Sequence, residues 1–235
     1  LTKHKKDQSK VKLNISPKQQ LLIKKPIKIS VKQNSVLLFG HILRAGDEPL
    51  NIEPYEGFPS IPVVSRKNVS AEVVISKVEG CDTFLSGCYE LVDIENDDEN
   101  KENESQILVQ PKKKILKFHQ AWHKIFKNIQ HKSNVSTENN PNATIITGKQ
   151  NIGKSTLSRF IVNNLLNKYE KVCFLETDIG QPEMNEPGVV ALHVVKKPLT
   201  KPCHTLINDE SVSVCESKYF CGGVSPSVHP NLYLE

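Results

Sequence analysis

At 235 residues, with an apolar fraction of 37% and aromatics at 6%, the chain is long enough for one large or two ordinary domains. It has no run near the ~20 consecutive apolar residues that span a bilayer, so neither a helical membrane anchor nor a membrane partner is expected. Its six cysteines, at 81, 88, 173, 203, 215 and 221, form no C-x-x-C pair, so reduced thiols in a cytosolic or nuclear protein are expected rather than a zinc knuckle or disulfide framework.

The net charge of +5 is unevenly spread, with ten lysines in residues 1–32 against the single Asp7. Residues 1–18 read as a disordered basic lead that contacts nucleic acid, acts as a nuclear address, or is simply solvated. Residues 19–132 read as a β-rich N-terminal domain. Short runs rich in β-branched residues ("QQLLI", "PIKISV", "SVLLFGHIL", "IPVVS", "AEVVIS", "YELVDI", "QILVQ") are punctuated by Pro, Gly, Asn and Asp. That pattern predicts about six or seven strands in an all-β sandwich or small barrel. The segment "DIENDDENKENE" (93–104) holds seven acids against Lys101 and reads as a disordered hairpin loop.

Residues 111–132 change the period. Ile115, Phe118, Trp122, Ile125 and Ile129 form one stripe of an amphipathic helix, expected to couple the β-rich part to the C-terminal half. His119 and His123, four apart, lack a third ligand, so they are not expected to hold a metal. "HKSNVSTENNPN" marks a boundary, and residues 142–235 read as an α/β domain. In it "ATIIT" is a buried strand, Lys154 to Tyr169 a helix, and "KVCFLETD" a second strand, a βαβ unit with a parallel sheet.

Between the first strand and the helix, "GKQNIGKST" satisfies G-x-x-x-x-G-K-[ST]. Gly148 and Gly153 allow a tight loop whose backbone N–H groups, including those of Lys149, Gln150, Asn151 and Ile152, point at phosphates, and the helix adds its positive dipole end. Lys154 reaches the β- and γ-phosphates of a bound nucleoside triphosphate. Ser155, beside Thr156, supplies its hydroxyl to Mg²⁺. Asp178 ends the second strand, where it holds the metal or accepts a proton from an incoming hydroxyl. Gln181 orients a nucleophile or phosphate, and Glu176 and Glu183 are lesser candidates or solvated acids. A GTP switch is not expected: D-x-G-Q is one residue shorter than D-x-x-G-Q, and Asn167-Lys168 continues as Tyr169-Glu170, not N-K-x-D.

Taken together, "GKQNIGKST", "FLETDIGQPEMNEPGVVAL" and "YFCGGVSPSVHPNLYL" resemble the polynucleotide 5′-hydroxyl kinase family, above all its nucleolar pre-rRNA-processing branch. The resemblance covers residues 143 to about 234, and its most specific element is Asp178, Gly180, Gln181 and Glu183 followed by Pro187-Gly188. It implies ATP and Mg²⁺ as cofactors, Lys154 and Asp178 as catalytic residues, and an RNA 5′-hydroxyl as acceptor. A pre-rRNA endonuclease partner and a place in the nucleus and nucleolus are implied by the same likeness. Met184 and Asn185-Glu186 stand where the family has an aromatic residue and Thr-Pro, a departure expected on the nucleotide or acceptor side. Only Arg159 of the three arginines follows the cradle, so the arginine-bearing lid of such kinases is expected beyond Glu235, with the polypeptide continuing and this piece weak or inactive alone. The alternative is an ATP-holding scaffold of an RNA-processing complex that does not turn its nucleotide over.

Overall fold

The computed structural model describes residues 9–54, 60–66, 68–79, 85, 87–93, 120–133 and 143–234. In the first half the strands are β1 (Lys10–Ile15), β2 (Gln19–Ile23), β3 (Ile27–Gln33), β4 (Ser35–Leu38), β5 (His41–Arg44), β6 (Leu50–Ile52), β7 (Ile61–Ser65), β8 (Ala71–Ser76) and β9 (Tyr89–Asp93). They form two antiparallel sheets, in the orders β1-β8-β3-β6 and β5-β4-β7-β2-β9.

Period-2 alternation puts one side of each strand inward. Ile15, Ile29, Val73 and Ile75 from one sheet share a core with Leu21, Ile23, Val36, Leu38 and Val63 from the other. Each such side chain contributes about 1.5–3 kcal/mol when fully buried. The sandwich architecture is therefore present, with more strands than the six or seven expected.

Two of the additions have local causes. The lead expected to be disordered supplies β1, because Val11, Leu13 and Ile15 alternate with Lys10, Lys12 and Asn14 and so turn an apolar edge to the core while the polar set faces out. The run "SVLLFGHIL" is not one strand: a two-residue turn at Phe39-Gly40, with φ of 44° and 84°, folds it into the β4–β5 hairpin. The expected strand "QILVQ" and the acidic loop from residue 94 onward lie outside the described residues, as do Ile115, Phe118 and His119.

Next along the chain come α1 (Gln120–Ser133), α2 (Lys154–Leu165), β10 (Val172–Glu176), β11 (Val189–Val195), α3 (Cys203–Leu206), β12 (Ser213–Phe220) and α4 (Pro230–Leu234). Of the coupling expected of α1, the contact with the C-terminal half is seen. Trp122 and Phe160 of α2 have ring centroids 5.7 Å apart, and His123 meets Phe160 edge-on at 5.4 Å. Phe126 is the buried residue of the next turn, whereas Ile125 is 40% exposed, so the stripe runs one residue off the expected line. Both spacings satisfy helical periodicity, and the larger aromatic surface takes the inward position.

The sheet of the second half corrects a further expectation. Its order is β10-β11-β12 and both pairings are antiparallel. A parallel return normally runs through a helix, whereas residues 177–188 between β10 and β11 form a folded loop with no helix. "ATIIT" does not form a strand, and Ile145 is 86% exposed. A β-branched run becomes a strand only where a neighbour takes its backbone hydrogen bonds, and among the described residues none does.

The two halves are joined by hydrogen bonds around α2. The Asn163 amide donates to Phe39 O at 3.1 Å, and its carbonyl oxygen accepts from Leu199 N at 2.7 Å. Asn167 donates to Gly40 O at 2.9 Å and accepts from Ile42 N at 2.7 Å. The hairpin tip is thus seated on the C-terminal half of the helix that carries the phosphate-loop motif at its start. At the β6 side, Thr200 Oγ1 donates to Asn51 O at 2.8 Å and Glu53 N donates to Thr200 O at 3.0 Å.

Candidate active site

The loop from Gly148 to Gly153 takes its shape from backbone freedom. Asn151 has φ 62° and Gly153 φ 85°, the left-handed region that Asn and Gly adopt at least cost. Gly148 has φ 155°, a conformation L side chains rarely adopt, and a Cβ there would displace only the movable end of the exposed Ile152 side chain. Gly153 precedes α2 without any side-chain cap, and the first N–H groups of α2 therefore have no capping side chain to satisfy them. Uncapped donors beside an inward-curled loop suit a phosphate group.

Lys154 donates from Nζ to Lys149 O at 2.9 Å, which keeps its ammonium over the loop rather than out in solvent. Lys149, Gln150, Asn151 and Ile152 are exposed along the rim, as is Ser155, while Thr156 is half-buried. Ser158 turns its hydroxyl back to Lys154 O and Ser155 O and so reinforces the first turn.

Asp178 lies just beyond β10. Its Oδ1 accepts from Gly180 N at 3.1 Å and Gln181 N at 3.0 Å, a turn held by the carboxylate itself. That leaves Oδ2 for chemistry, and both Asp178 and Gln181 are exposed. The P-G of the signature closes the same loop: Gly188 N donates to Ile179 O at 2.7 Å and Cys221 N donates to Gly188 O at 2.8 Å. At φ 89°, with a Cβ that would meet Phe220 Cε2 at 2.9 Å, position 188 accepts only glycine without strain.

The lesser acids of the signature prove to be internal. Glu183, 7% exposed, pairs with Arg159 of α2, itself 1% exposed. Arg159 also donates to Lys201 O at 2.6 Å and to Cys203 Sγ at 3.1 Å. Glu176 accepts from Glu183 N at 2.7 Å. Burial pushes the Glu176 carboxyl up to about 7, with the Glu183 and Asp178 charges adding to the rise and the Glu183 N–H opposing it. Burial likewise pushes the Cys203 thiol up, helped by Glu183.

The loop bearing Asp178 and Gln181 is therefore bolted to the helix bearing Lys154 and Ser155. Sequence reasoning missed this brace because an arginine inside a helix reads by default as a solvated residue. The available signal was that the only arginine after the cradle and the Glu of D-x-G-Q-x-E come from the two motifs that must meet.

Met184 sits at 2% exposure in the core with Val162, Val195, Leu199, Leu206 and Val212, and Asn185 is buried against His193 Nε2 at 2.8 Å. The departures from the family pattern at 184 and 185 are thus packing changes under the loop rather than changes on an exposed nucleotide or acceptor surface. Among the described residues no group of three or more His, Cys, Asp or Glu gathers to hold a metal, and no helix is long and apolar enough to cross a membrane.

Fold and site define a phosphate-loop module joined to a β-sandwich. Comparison with known proteins narrows this. Residues 148–235 match the family model described as the P-loop of mRNA cleavage and polyadenylation factor CLP1. The polynucleotide 5′-hydroxyl-kinase nol9 of Dictyostelium discoideum is 36% identical over 97 residues, covering 41% of this chain and 14% of that protein. The corresponding kinase NOL9 of Arabidopsis thaliana is 38% identical over 99 residues, covering 40% of this chain and 25% of its own. A solved Clp1p structure, from work on its interface with Pcf11p and on ATP loss in a point mutant, superposes over 84% of this chain and 40% of its own with a TM-score of 0.50. At 16% identity that likeness speaks for the fold alone, and it takes in the sandwich as well as the phosphate-loop half. The resemblance to polynucleotide 5′-hydroxyl kinases read in the motifs is therefore shown, and the chain spans 14% and 25% of the length of those two named relatives.

Proposed function

We propose that this chain carries the sandwich and the ATP-binding core of a polynucleotide 5′-hydroxyl kinase acting on RNA in ribosomal RNA processing, in the nucleus and nucleolus. The observation that carries this reading is the brace between α2 and the D-x-G-Q-x-E loop, which joins a phosphate cradle to an acceptor-side carboxylate.

Residues 148–156 hold the ATP phosphates through loop N–H groups and the start of α2. Ser155 and Asp178 would hold Mg²⁺, which usually keeps several waters and needs only one or two protein ligands beside phosphate oxygens, so the lack of a carboxylate cage among the described residues fits. When bound, the ion neutralises charge on the phosphates. Lys154 leaves its Lys149 carbonyl for the transferred phosphoryl. In the reaction the RNA 5′-oxygen forms a bond to the γ-phosphorus, the bond from that phosphorus to the bridging oxygen breaks, ADP leaves with the electron pair, and Asp178 takes the hydroxyl proton. Gln181 orients the incoming end. A pre-rRNA endonuclease is the proposed working partner, and the proposed organisation is a sandwich domain that begins with β1, ahead of residue 19, and runs to 132, followed by a kinase domain over 142–235.

Arg159 is committed to its ion pair and its two further acceptors, and supplies no positive charge to the transition state. The test is transfer of label from γ-labelled ATP to a 5′-hydroxyl RNA oligonucleotide by the full-length protein. Transfer is expected, with loss of at least a hundredfold in Lys154→Ala. A full-length protein that keeps ATP yet labels no oligonucleotide would instead be the non-catalytic scaffold.

A further inference from the structure

The lysine-rich start of the chain is not absorbed by the phosphate-transfer site, and the structure gives part of it a definite place. On the outer side of the four-stranded sheet, Lys10 of β1 and Lys28 of β3 flank Ser76 of β8 in one row. Lys12 and Ser30 flank Val74 in the next. Rows lie about 7 Å apart and strands about 5 Å apart, so these ammonium groups share one surface. Lys32 continues the same side of β3 at the bulge between Val31 and Gln33, and is exposed. Glu72 is the one acid on this face among the described residues, and it pairs with Lys12 at 2.6 Å. Lys10, Lys28 and Lys32 have no acidic partner among the described residues. Inward, the same strands are apolar, with Ile15, Ile29, Val31, Val73 and Ile75 in the core, so the lysines are held on a rigid plane and not on a tail.

The face also has a direction. Its free edge is β1, and its other edge, β6, is docked on the phosphate-loop half through Asn51 and Glu53 to Thr200. We infer that this lysine face is a docking surface for the phosphate backbone of single-stranded RNA, holding the acceptor strand at the side of the sandwich that joins the kinase half. The inference rests on the proposed RNA acceptor. Its chemistry is sequence-independent: point charges on a flat sheet, without exposed aromatic side chains among them, bind phosphates and read no bases.

The test is fluorescence anisotropy of a labelled 5′-hydroxyl RNA oligonucleotide on the full-length protein across a salt series, with ATP binding measured in parallel. For Lys10→Gln/Lys28→Gln/Lys32→Gln the slope of log K against log salt should flatten by about two, since each phosphate neutralised on a single strand contributes ~0.7 to it. ATP binding should stay unchanged. Ser30→Lys, which adds a charge between Lys12 and the bulge without removing any packing residue, should tighten binding and steepen the slope. If the triple variant binds RNA as the parent does while the parent still labels RNA, the docking surface is wrong and the kinase reading stands. If a polyglutamate peptide displaces RNA from this face at lower concentration than competitor RNA does, the surface serves an acidic protein and the inference is overturned. If the parent neither binds nor labels RNA, both readings fall together.

Discussion

Arg159 shows how much a single side chain carries here. A guanidinium at 1% exposure is tolerable only while its charge and donors are satisfied, and Glu183, Lys201 O and Cys203 Sγ do this between them. Arg159→Met should leave Glu183 buried without its cation and cost about 3–5 kcal/mol in urea unfolding, whereas Arg159→Met/Glu183→Met together should recover most of it. Glu176 adds a pH dependence. Its folded carboxyl is raised to about 7 from an unfolded value of 4.5, so the folded protein binds the proton more tightly. The stability from this group is fully present below about 4.5 and is lost as pH rises through about 7. Unfolding free energy measured between pH 5 and 8 should fall along that window, and Glu176→Gln should remove that part of the slope.

At the scale of elements, α2 does three jobs along its length. Its start carries the proposed phosphate cradle, its middle carries the brace to the Asp178 loop, and its end seats the β4–β5 hairpin. The seat is tight: a Cβ at Gly40, φ 84°, would lie 2.2 Å from Asn164 Nδ2 and 2.9 Å from Phe160 O. Because the second contact is backbone and the conformation is left-handed, Gly40→Ala should cost more than ~1 kcal/mol. Asn163→Ala should cost about 1–3 kcal/mol, by leaving the buried Leu199 N–H and Phe39 carbonyl short of their partner. Differential scanning calorimetry of the two variants checks both. The same helix marks a limit of reading from sequence. Asn163, Asn164 and Asn167 look like ordinary polar positions of an amphipathic helix, and "SVLLFGHIL" looks like one strand, until the turn at Phe39-Gly40 and its receptor are seen together.

Across the whole molecule, what was legible was local. The cradle lies within nine contiguous residues, so its backbone chemistry is written in one motif, and the D-x-G-Q-x-E loop is nearly as compact. The sandwich was legible from β-branched alternation, though not β1, whose lysines outweighed its three inward apolar residues. Pairing direction was not legible in the sheet of the second half, because it depends on how residues 177–188 fold back and on which strand lies next to which. The halves are joined by polar contacts from asparagines, threonine and glutamate to backbone groups, which periodicity does not encode.

The central claim is that a phosphoryl group leaves ATP at the cradle and arrives on an RNA end beside Asp178. A single-turnover experiment tests it most directly, with full-length protein preloaded with γ-labelled ATP and mixed with 5′-hydroxyl RNA, following retained ATP and labelled RNA together. The parent should convert bound ATP to labelled RNA, and Asp178→Asn should retain ATP while its transfer rate falls at least a hundredfold. Retained ATP with no labelled RNA in the parent, or undiminished transfer in Asp178→Asn, would contradict the account.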